Sequence, residues 1–362
     1  MKKVRLRLGK SSYEIHIGRG ILGGVGSWLK ESGFRDRLVI ITNPTVKQLY
    51  GDNLEQGLTK EGFRTHILVA PDGEAHKSLE TAGGLYRELN SVYAERMTPV
   101  LALGGGVIGD LAGFVTATYL RGVPLVHLPT TLLAQVDSSI GGKTAVNYDR
   151  LKNKIGTFYQ PRLVASDTTT LRTLPAREMA NGLAEVIKSA VIRDGQFFAY
   201  LEANLGRIKA RDDKALAETV YRTARIKAGV VTQDERDLGL RNILNYGHTI
   251  GHAIETAAGF TIGHGEAVAI GMVAAAKISH RMGILDMNDV NRLVEILKRA
   301  DLLTGMPDVS REQIIQAMKH DKKITGGKIR FVLSRAIGEV FITDEVSPAL
   351  VDEVLAELYA ET

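Results

Sequence analysis

The sequence predicts an α/β fold, with a parallel sheet in an N-terminal domain followed by a mostly helical C-terminal domain. At 362 residues, 44% of them hydrophobic, the chain is long enough to form two cores. Short apolar runs alternate with helical stretches in the first half, which is typical of a parallel sheet covered by helices on both faces. After Pro175 helical periodicity replaces this alternation. We therefore divide the chain into domains 1–174 and 175–362.

The period of the apolar residues predicts the individual strands and helices. Lys3–Leu8 and Ser12–Ile17 alternate at period two around Gly9 and predict a hairpin. Further strands are predicted at Arg37–Ile41, Arg64–Val69, Val100–Leu103 and Pro124–Leu128, and a second hairpin at Lys328–Leu333 and Glu339–Ile342. Helices are predicted at Val46–Leu58, Ser78–Ser91, Ala176–Ile192, Ala217–Val231, Ala267–Met282, Asp289–Ala300, Arg311–Lys319 and Leu350–Tyr359.

Composition narrows the possible functions. The formal net charge is +5, but beyond the first ten residues the basic and acidic residues interleave, which argues against nucleic-acid binding. Because the sequence has no cysteine, a transition metal has to be bound by histidines and carboxylates. Neither a signal-peptide h-region nor a run of about 18 apolar residues is found. We expect a soluble cytoplasmic protein that binds neither membrane nor nucleic acid.

A glycine-rich turn follows the predicted strand Val100–Leu103. The segment GGGVIGD at residues 104–110 has the spacing G-x-G-x-x-G, in which backbone amides and a helix N-terminus can bind a pyrophosphate. No acidic residue lies about 20 positions later to bind the ribose, so an ordinary strand-to-helix turn stays an alternative. The polar turn of Asp72, Glu74 and Lys77 could supply that carboxylate from Glu74.

Two more polar loops follow the last predicted strand of the first half. One contains the adjacent hydroxyls of Thr130 and Thr131, and the other, DSSIGGKT at residues 137–144, resembles a P-loop. A Walker A motif requires glycine where Asp137 stands, so an ATPase is disfavoured. Unless they are ordinary solvated residues, the candidate phosphate contacts nearby are Lys143, Lys152 and Asn153.

Three of the nine histidines lie in RNILNYGHTIGHAIETAAGFTIGHGE at residues 241–266. His248 and His252 are four residues apart in a helical pattern and should share a helix face. His264 lies between two glycines, a flexible approach that could return a third imidazole to the same point. Whether all three histidines bind metal stays open at this stage.

Charged residues of the second half could complete such a site. Glu185 lies on the predicted helix Ala176–Ile192 and could be the carboxylate ligand of a catalytic Zn²⁺ or a similar ion. Alternatively, Glu185 and Lys188 simply form an i,i+3 pair on the helix surface. Lys227 and Arg241 could bind an anionic substrate or be ordinary surface cations.

Six segments together resemble the 3-dehydroquinate synthase family of sugar phosphate cyclases. They are GGGVIGD, PTTLLAQVDSSIGGKT, LKNKIG, TLPAREMANGLAEVIK, GLRNILNYGHTIGHAIE and HGEAVAIGM, in the family's order and spacing over almost the entire chain. The resemblance implies a Rossmann-like N-terminal domain for NAD, a helical C-terminal domain for one divalent metal ion (Zn²⁺ or Co²⁺), an active site in the cleft between them, and a homodimer. It implies that 3-deoxy-D-arabino-heptulosonate 7-phosphate is converted to 3-dehydroquinate and phosphate, the second step of the shikimate pathway. Transient oxidation by NAD, phosphate elimination, re-reduction and intramolecular aldol closure would be the steps.

The family pattern also implies a role for individual residues. The metal ligands would be Glu185, His248 and His264, whereas His252 would contact substrate, and Arg121 would reach the active site of the neighbouring subunit. The other catalytic or substrate-binding residues implied are Lys143, Asn153, Lys188, Lys227, Arg241, Asn245 and Lys322, with Lys323 as the alternative to Lys322. The cofactor-binding residues implied are Asp72, Glu74, Lys77, Gly105, Gly106, Val107, Asp110, Thr130, Thr131, Asp137, Ser138, Lys143, Lys152, Asn153, Thr170, Leu171, Arg172, Thr173 and Asn181.

Three alternatives compete with this interpretation. A metal-dependent polyol or glycerol-phosphate dehydrogenase has a related two-domain plan but less need of cations in its site than Lys143, Lys188, Lys227 and Arg241 provide. Another sugar phosphate cyclase is disfavoured by Arg241 and Asn245. A nucleotide-binding regulator would have no use for Glu185 and the histidines.

Overall fold

The computed structural model describes residues 1–149, 151–259, 261–320, 324–325 and 328–361, which form two compact units. The first unit comprises Met1–Leu174 with Leu216–Arg236, and the second comprises Pro175–Ala215 with Asp237–Thr362. The segment Leu216–Arg236 therefore packs with the N-terminal unit, although it follows residue 174 in the sequence. Lys322 and Lys323 lie outside the described residues.

A seven-stranded sheet is the centre of the first unit. The strands of this unit are β1 (Lys2–Leu6), β2 (Tyr13–Gly18), β3 (Arg37–Thr42), β4 (Arg64–Val69), β5 (Val100–Gly104), β6 (Leu125–Pro129), β7 (Lys143–Tyr148), β8 (Leu151–Phe158) and β9 (Leu163–Asp167). In the sheet the order is β1-β2-β9-β6-β5-β3-β4, while β7 and β8 form a separate antiparallel hairpin. Only β1 and β2 pair antiparallel within the sheet. The predicted parallel sheet and N-terminal hairpin are confirmed.

Helices cover both faces of this sheet. They are α1 (Val25–Glu31), α2 (Pro44–Val46), α3 (Asp52–Lys60), α4 (Leu79–Ser91) and α5 (Gly106–Thr118). On β3, Val39 and Ile41 belong to one apolar cluster and Leu38 and Ile40 to the other. Because successive side chains of a strand point to opposite faces, both faces of β3 are buried. This explains why β3 is a continuous apolar run rather than an alternating one.

The second unit is mostly helical, as predicted. In chain order the remaining helices are α6 (Ala176–Arg193), α7 (Gly195–Lys209), α8 (Asp213–Gln233), α9 (His248–Ala257), α10 (His264–Arg281), α11 (Met287–Arg299), α12 (Arg311–His320) and α13 (Pro348–Ala360). Of these, α8 belongs almost entirely to the first unit. The strands are β10 (Ile324–Thr325), β11 (Lys328–Ile329), β12 (Phe331–Ala336) and β13 (Glu339–Thr343). Helix α10 is buried along most of its length and packs against α6, α9, α11, α13 and β12. None of the helices in the described part of the chain is long and apolar enough to span a membrane.

Several elements differ from the sequence prediction. The second hairpin pairs β12 with β13, so its first strand begins at Phe331 rather than Lys328, and Lys328–Ile329 pairs instead with Ile324–Thr325. The prediction was wrong because Phe331–Ser334 is buried on both faces and has no period of two to fix its start. Strands β7, β8 and β9 and helices α1 and α7 were not predicted. Most of β8 is exposed, which leaves no apolar pattern to read.

Glycines allow α9 and α10 to pack with their backbones in contact. A Cβ atom on Gly271 would lie 1.9 Å from the carbonyl oxygen of Gly247, and one on Gly251 would lie 2.9 Å from the carbonyl oxygen of Ala267. No other residue fits at such distances without moving the helices apart. Since α9 begins at His248 and α10 at His264, this packing determines how closely the two histidines approach.

We predict that Gly271→Ala lowers the free energy of unfolding by about 1–3 kcal/mol or more, because the added methyl group forces the two helices apart. Gly206→Ala on α7 is the matched control, since a Cβ there meets nothing within 4 Å. The control should be neutral or stabilising by about 0.5–1 kcal/mol. Urea denaturation followed by circular dichroism compares them, and equal effects would show that the glycine contact does not matter.

Candidate functional site

Glu185, His248 and His264 form a compact group in the second unit. Glu185 Oε1 lies 3.6 Å from Nε2 of His248 and 3.7 Å from Nε2 of His264, and one ligand atom from each residue lies within 4.8 Å of the others. These distances are too long for hydrogen bonds. Three ligands of a tetrahedral zinc ion, each about 2.0–2.2 Å from the metal, are about 3.5 Å apart. The group therefore has the dimensions of a three-ligand metal site.

The Glu185 carboxylate is almost fully buried, and its two oxygens have different surroundings. Oε2 accepts a hydrogen bond from Lys188 Nζ, whereas Oε1 accepts none from the described residues. Burial opposes ionisation, but Lys188 and His264 hold the pKa of Glu185 well below its usual range. A charged, buried oxygen without a donor is unfavourable. A cation between Oε1 and the two imidazoles would remove that cost, so the residues present fit a divalent metal ion.

A backbone contact sets the orientation of the His248 ring. Its Nδ1 lies 3.1 Å from the carbonyl oxygen of Tyr246. Because a carbonyl oxygen can only accept, Nδ1 carries the proton, and the lone pair of Nε2 points towards Glu185. Gly247, between these two residues, has a φ of 78°, a left-handed conformation that favours glycine. The neutral tautomer needed for metal binding is thus fixed by the start of α9.

The glycines on either side of His264 allow the chain to pack closely against α6. A Cβ on Gly265 would lie 2.5 Å from Asn181 Cα, and one on Gly263 would lie 2.7 Å from Asn181 Oδ1. The Glu266 carboxylate accepts a hydrogen bond of 2.7 Å from the amide of Gly263, which closes the first turn of α10. Asn181 is one helical turn before Glu185. The two glycines therefore permit close packing next to the ligand group, rather than the flexibility inferred from the sequence.

His252 shares α9 with His248, and two buried cations lie on α6 or in a turn that packs against it. The ring centroids of His252 and His248 are 5.0 Å apart, as their four-residue spacing predicts, and those of His252 and His264 are 6.0 Å apart. His252, Glu255 and His264 form a second group of possible ligands. Arg241 is buried and Asn245 half-buried in the turn Leu240–Asn245, which packs against α6. Lys188 is as deeply buried as Arg241.

In the first unit, the glycine turn between β5 and α5 is a candidate ligand-binding feature. Helix α5 begins at Gly106, as the motif predicts. A Cβ on Gly105 would lie 3.0 Å from Thr131 Cγ2, and one on Gly106 would lie 3.2 Å from Ser138 Oγ. The turn therefore lies against the loops after β6, at the carboxyl ends of parallel strands where α/β sheets bind ligands. Bare amides at this helix start can bind a phosphate.

A polar network connects the turn after β4 with α5 and β8. Lys77 Nζ donates to Asp110 Oδ2 at 2.5 Å and to Asn153 Oδ1. Asn147, which the sequence analysis missed, donates to Glu74 Oε1 at 2.8 Å and accepts from the amide of Asn153 at 2.9 Å. Burial raises the pKa of Asp110 despite the nearby Lys77. In the sequence, Asn147 is only one polar residue of a half-buried strand, and the period of the apolar residues does not distinguish it from the other polar residues.

A second ion pair in the first unit joins two predicted site residues. Lys227 Nζ, on α8, lies 2.5 Å from Asp137 Oδ1 and 2.8 Å from the Asp137 carbonyl oxygen.

The other predicted site residues of the first unit differ in burial and contacts. Tyr50, which the sequence analysis missed, donates to the Thr170 carbonyl oxygen at 3.0 Å and contacts Thr173 Oγ1. Thr130 is buried, Val107 is half-buried in the first turn of α5, and Leu171 is buried. The remaining predicted residues of this unit are exposed: Asp72, Arg121, Lys143, Lys152 and Arg172.

Comparison with known proteins identifies the family. Residues 67–181 match the family model of the 3-dehydroquinate synthase N-terminal domain, and residues 182–324 match that of its C-terminal domain. A 3-dehydroquinate synthase from Dehalococcoides mccartyi is 49% identical over 358 residues, which cover 99% of this chain and 100% of the relative. The chain belongs to the 3-dehydroquinate synthase family. The resemblance recognised in the sequence is confirmed.

Solved structures of related cyclases have the same fold. A 2-epi-5-epi-valiolone synthase from Streptomyces hygroscopicus subsp. jinggangensis, with NAD⁺ and Zn²⁺ bound, is 28% identical with a TM-score of 0.91, covering 98% of this chain and 99% of that one. A 2-deoxy-scyllo-inosose synthase complexed with carbaglucose-6-phosphate, NAD⁺ and Co²⁺ is 30% identical with a TM-score of 0.90, covering 98% and 100%. The predicted fold class is confirmed by this similarity.

We predict that Glu185→Ala and His264→Ala lose bound metal, whereas His252→Ala retains metal but loses activity. The reason is that Glu185 and His264 belong to the group around Oε1, and His252 does not. Metal content after gel filtration, measured by mass spectrometry, decides between these outcomes. His280→Ala, near the other end of α10, is the matched control and should keep both metal and activity. Equal metal loss in the three site variants would show that His252 is also a ligand, whereas metal kept in Glu185→Ala and lost in both histidine variants would favour a site made of three histidines.

Proposed function

We propose that this chain catalyses the 3-dehydroquinate synthase reaction, the conversion of 3-deoxy-D-arabino-heptulosonate 7-phosphate to 3-dehydroquinate and phosphate. Family membership over the full chain supports a carbon–oxygen lyase that depends on NAD and one divalent metal ion, Zn²⁺ or Co²⁺. The structural observation that carries the proposal is the buried Glu185 carboxylate between two imidazoles and Lys188. The cytoplasmic location expected from the sequence stays a prediction.

We assign the cofactors to the two groups of residues described above. Glu185, His248 and His264 would hold the metal ion, which when bound supplies Lewis-acid stabilisation of a developing alkoxide. The turn at Gly105 and Gly106 would hold the NAD pyrophosphate, and NAD would accept a hydride and later return it. The other proposed cofactor contacts are those implied by the family pattern: Asp72, Glu74, Lys77, Val107, Asp110, Thr130, Thr131, Asp137, Ser138, Lys143, Lys152, Asn153, Thr170, Leu171, Arg172, Thr173 and Asn181.

Buried cations favour a substrate that carries both phosphate and carboxylate. Lys188 and Arg241 are each only 2% exposed, and Lys188 already pairs with the Glu185 carboxylate, so the fold holds cations in place for an anionic ligand. Arg241 offers a planar fork suited to a carboxylate or phosphate. The substrate of the proposed reaction has both groups. A polyol dehydrogenase, whose substrate is uncharged, would have no use for this arrangement.

His252 and the remaining polar residues would position the leaving phosphate. An imidazole can donate a hydrogen bond to a phosphate oxygen and can hold a proton there. In the proposed elimination His252 would orient the substrate phosphate, while an oxygen of that phosphate removes the proton from the neighbouring carbon. The residues proposed to share this task are Lys143, Asn153, Lys227, Asn245 and Lys322 or Lys323.

We predict that purified protein with a divalent metal and less than stoichiometric NAD releases one phosphate per heptulosonate phosphate consumed, with no accumulation of NADH. The hydride returns to the substrate-derived carbon within each turnover, so a small amount of NAD supports many turnovers. Malachite green detection of phosphate and absorbance at the NADH wavelength are recorded in the same sample. Glucose 6-phosphate serves as the comparison substrate and should release no phosphate.

Two results would contradict this function. Net formation of NADH without phosphate release would indicate a dehydrogenase. Phosphate release from glucose 6-phosphate at a rate equal to that from the heptulosonate phosphate would indicate a different sugar phosphate cyclase.

We further propose that the protein is a homodimer in which Arg121 completes the active site of the other subunit. Leu120 and Arg121 have φ values of 49° and 64°, a strained conformation for two consecutive residues with side chains. Leu120 is 45% exposed despite being apolar. This strained and exposed turn supports a role in contact with a second copy.

A mixing experiment tests whether Arg121 acts across subunits. Arg121→Ala and Glu185→Ala should each be inactive alone. After subunit exchange about half of the dimers are mixed, and each mixed dimer has one complete site, so about a quarter of wild-type activity should return. No recovery in dimers shown by native mass spectrometry to be mixed would place Arg121 in the site of its own subunit.

A further inference from the structure

Glu255 contacts the side of the His264 ring that faces away from the ligand group. It lies on α9, seven residues after His248, and its side chain is only 6% exposed. Its Oε2 is 3.0 Å from His264 Nδ1, while Nε2 of the same ring faces Glu185 Oε1. The two ring nitrogens of His264 therefore each have a different carboxylate as neighbour.

The contact distinguishes between the two tautomers of His264. An ionised carboxylate can only accept, so a proton is required on Nδ1. In a neutral ring this leaves the lone pair on Nε2, which is the nitrogen directed at Glu185 and the one able to bind a metal. Carboxylates frequently orient metal-binding imidazoles in this way.

A second metal ion held by His252, Glu255 and His264 is the competing explanation. Such an ion would need the lone pair of His264 Nδ1 while the first site uses that of Nε2, so the ring would have to lose both protons. The Glu185 group has a buried carboxylate oxygen that accepts no hydrogen bond from the described residues. Glu255 Oε2, in contrast, already has the ring nitrogen at hydrogen-bond distance. The geometry therefore favours one ion.

We propose that Glu255 is a positioning residue, which fixes the tautomer and the orientation of His264 so that Nε2 is presented to the metal ion. The inference rests on the metal site of the proposed function. It means that α9 contributes to that site twice, directly through His248 and indirectly through the contact between Glu255 and His264.

Metal affinity is the property that this role affects first. Loss of a carboxylate partner of a metal-binding histidine typically weakens metal binding about 10–100-fold. We expect Glu255→Ala to show this full loss of metal affinity. We expect Glu255→Gln to lie between Ala and wild type, because its amide oxygen can still accept from Nδ1 but carries no charge. Glu255→Asp should recover part of the affinity, because it keeps the charge at a greater distance from the ring.

The experiment measures Co²⁺ binding to the metal-free full-length protein by chelator competition, together with the visible spectrum of the bound Co²⁺ and the thermal unfolding of the metal-free form. Glu357→Gln is the matched control. Its carboxylate contacts Lys277 on α10, thirteen residues after His264, and the variant should bind Co²⁺ like wild type. A weaker affinity with an altered spectrum, in Glu255 variants whose metal-free form unfolds like wild type, supports positioning.

Three outcomes would overturn the proposal. Unchanged affinity and spectrum in Glu255→Ala would show that the contact does not affect the metal. Two Co²⁺ ions bound per wild-type chain would favour the competing site. A purely structural role would be indicated if the loss of Co²⁺ affinity simply followed the loss of thermal stability in the metal-free protein, and if neither Glu255→Gln nor Glu255→Asp recovered affinity.

Glu185→Ala separates this proposal from the one on which it rests. If Glu185→Ala binds Co²⁺ like wild type, the metal site itself is wrong. If Glu185→Ala loses Co²⁺ and Glu255→Ala does not, only the positioning role fails.

Discussion

The second unit depends on a carboxylate that is removed from water while its charge is retained. Glu185 has Lys188 at one oxygen and two imidazole nitrogens at the other. Lys188 lies on the same helix as Glu185, whereas the two imidazoles are brought to it by the packing of α6, α9 and α10. A buried charge is tolerable when its partners are fixed, so the positions of these helices and the ionisation of Glu185 support each other.

The same arrangement occurs three times among the proposed site residues. Lys188 is paired with Glu185, Lys227 with Asp137, and Lys77 with Asp110. In each pair a lysine that is at most 9% exposed at its side chain has a carboxylate at hydrogen-bond distance. Such pairing compensates the desolvation of the cation before any ligand is bound. A phosphate or carboxylate that enters the site then becomes a new partner of a lysine that is already ordered. It does not have to immobilise an exposed, flexible side chain.

Much of this could be predicted from the sequence, because strong periodicity and short motifs are local properties. The strands β3 to β6, the start of α5 at the glycine turn and the shared helix face of His248 and His252 all follow from residue spacing. The grouping of Glu185 with His248 and His264 does not, since no spacing rule relates helices that are more than 60 residues apart. Residue types suggested Glu185 and the three histidines together, but the choice of His248 and His264 over His252 came from the resemblance to the family, which carries information on tertiary contacts that a single period does not contain.

The strands and residues that the sequence did not predict were missed for related physical reasons. Strand β9 is a short and fully buried run, and β8 is mostly exposed, so neither shows the alternation of a half-buried strand. Asn147 and Tyr50 act through hydrogen bonds to residues distant in sequence. The glycines before and after His264 were attributed to flexibility, whereas both leave room for close packing against Asn181, a requirement that only the structure shows.

The glycine contact between α9 and α10 has a consequence for engineering. Gly247, Gly251 and Gly271 contribute no functional group, yet each has backbone atoms within 3 Å of where a side chain would begin. A library of random substitutions should therefore lose many variants at these positions, even though none of them would touch a ligand. Attempts to change the substrate should leave these three glycines unaltered and vary side chains that lie away from the contact between the two helices.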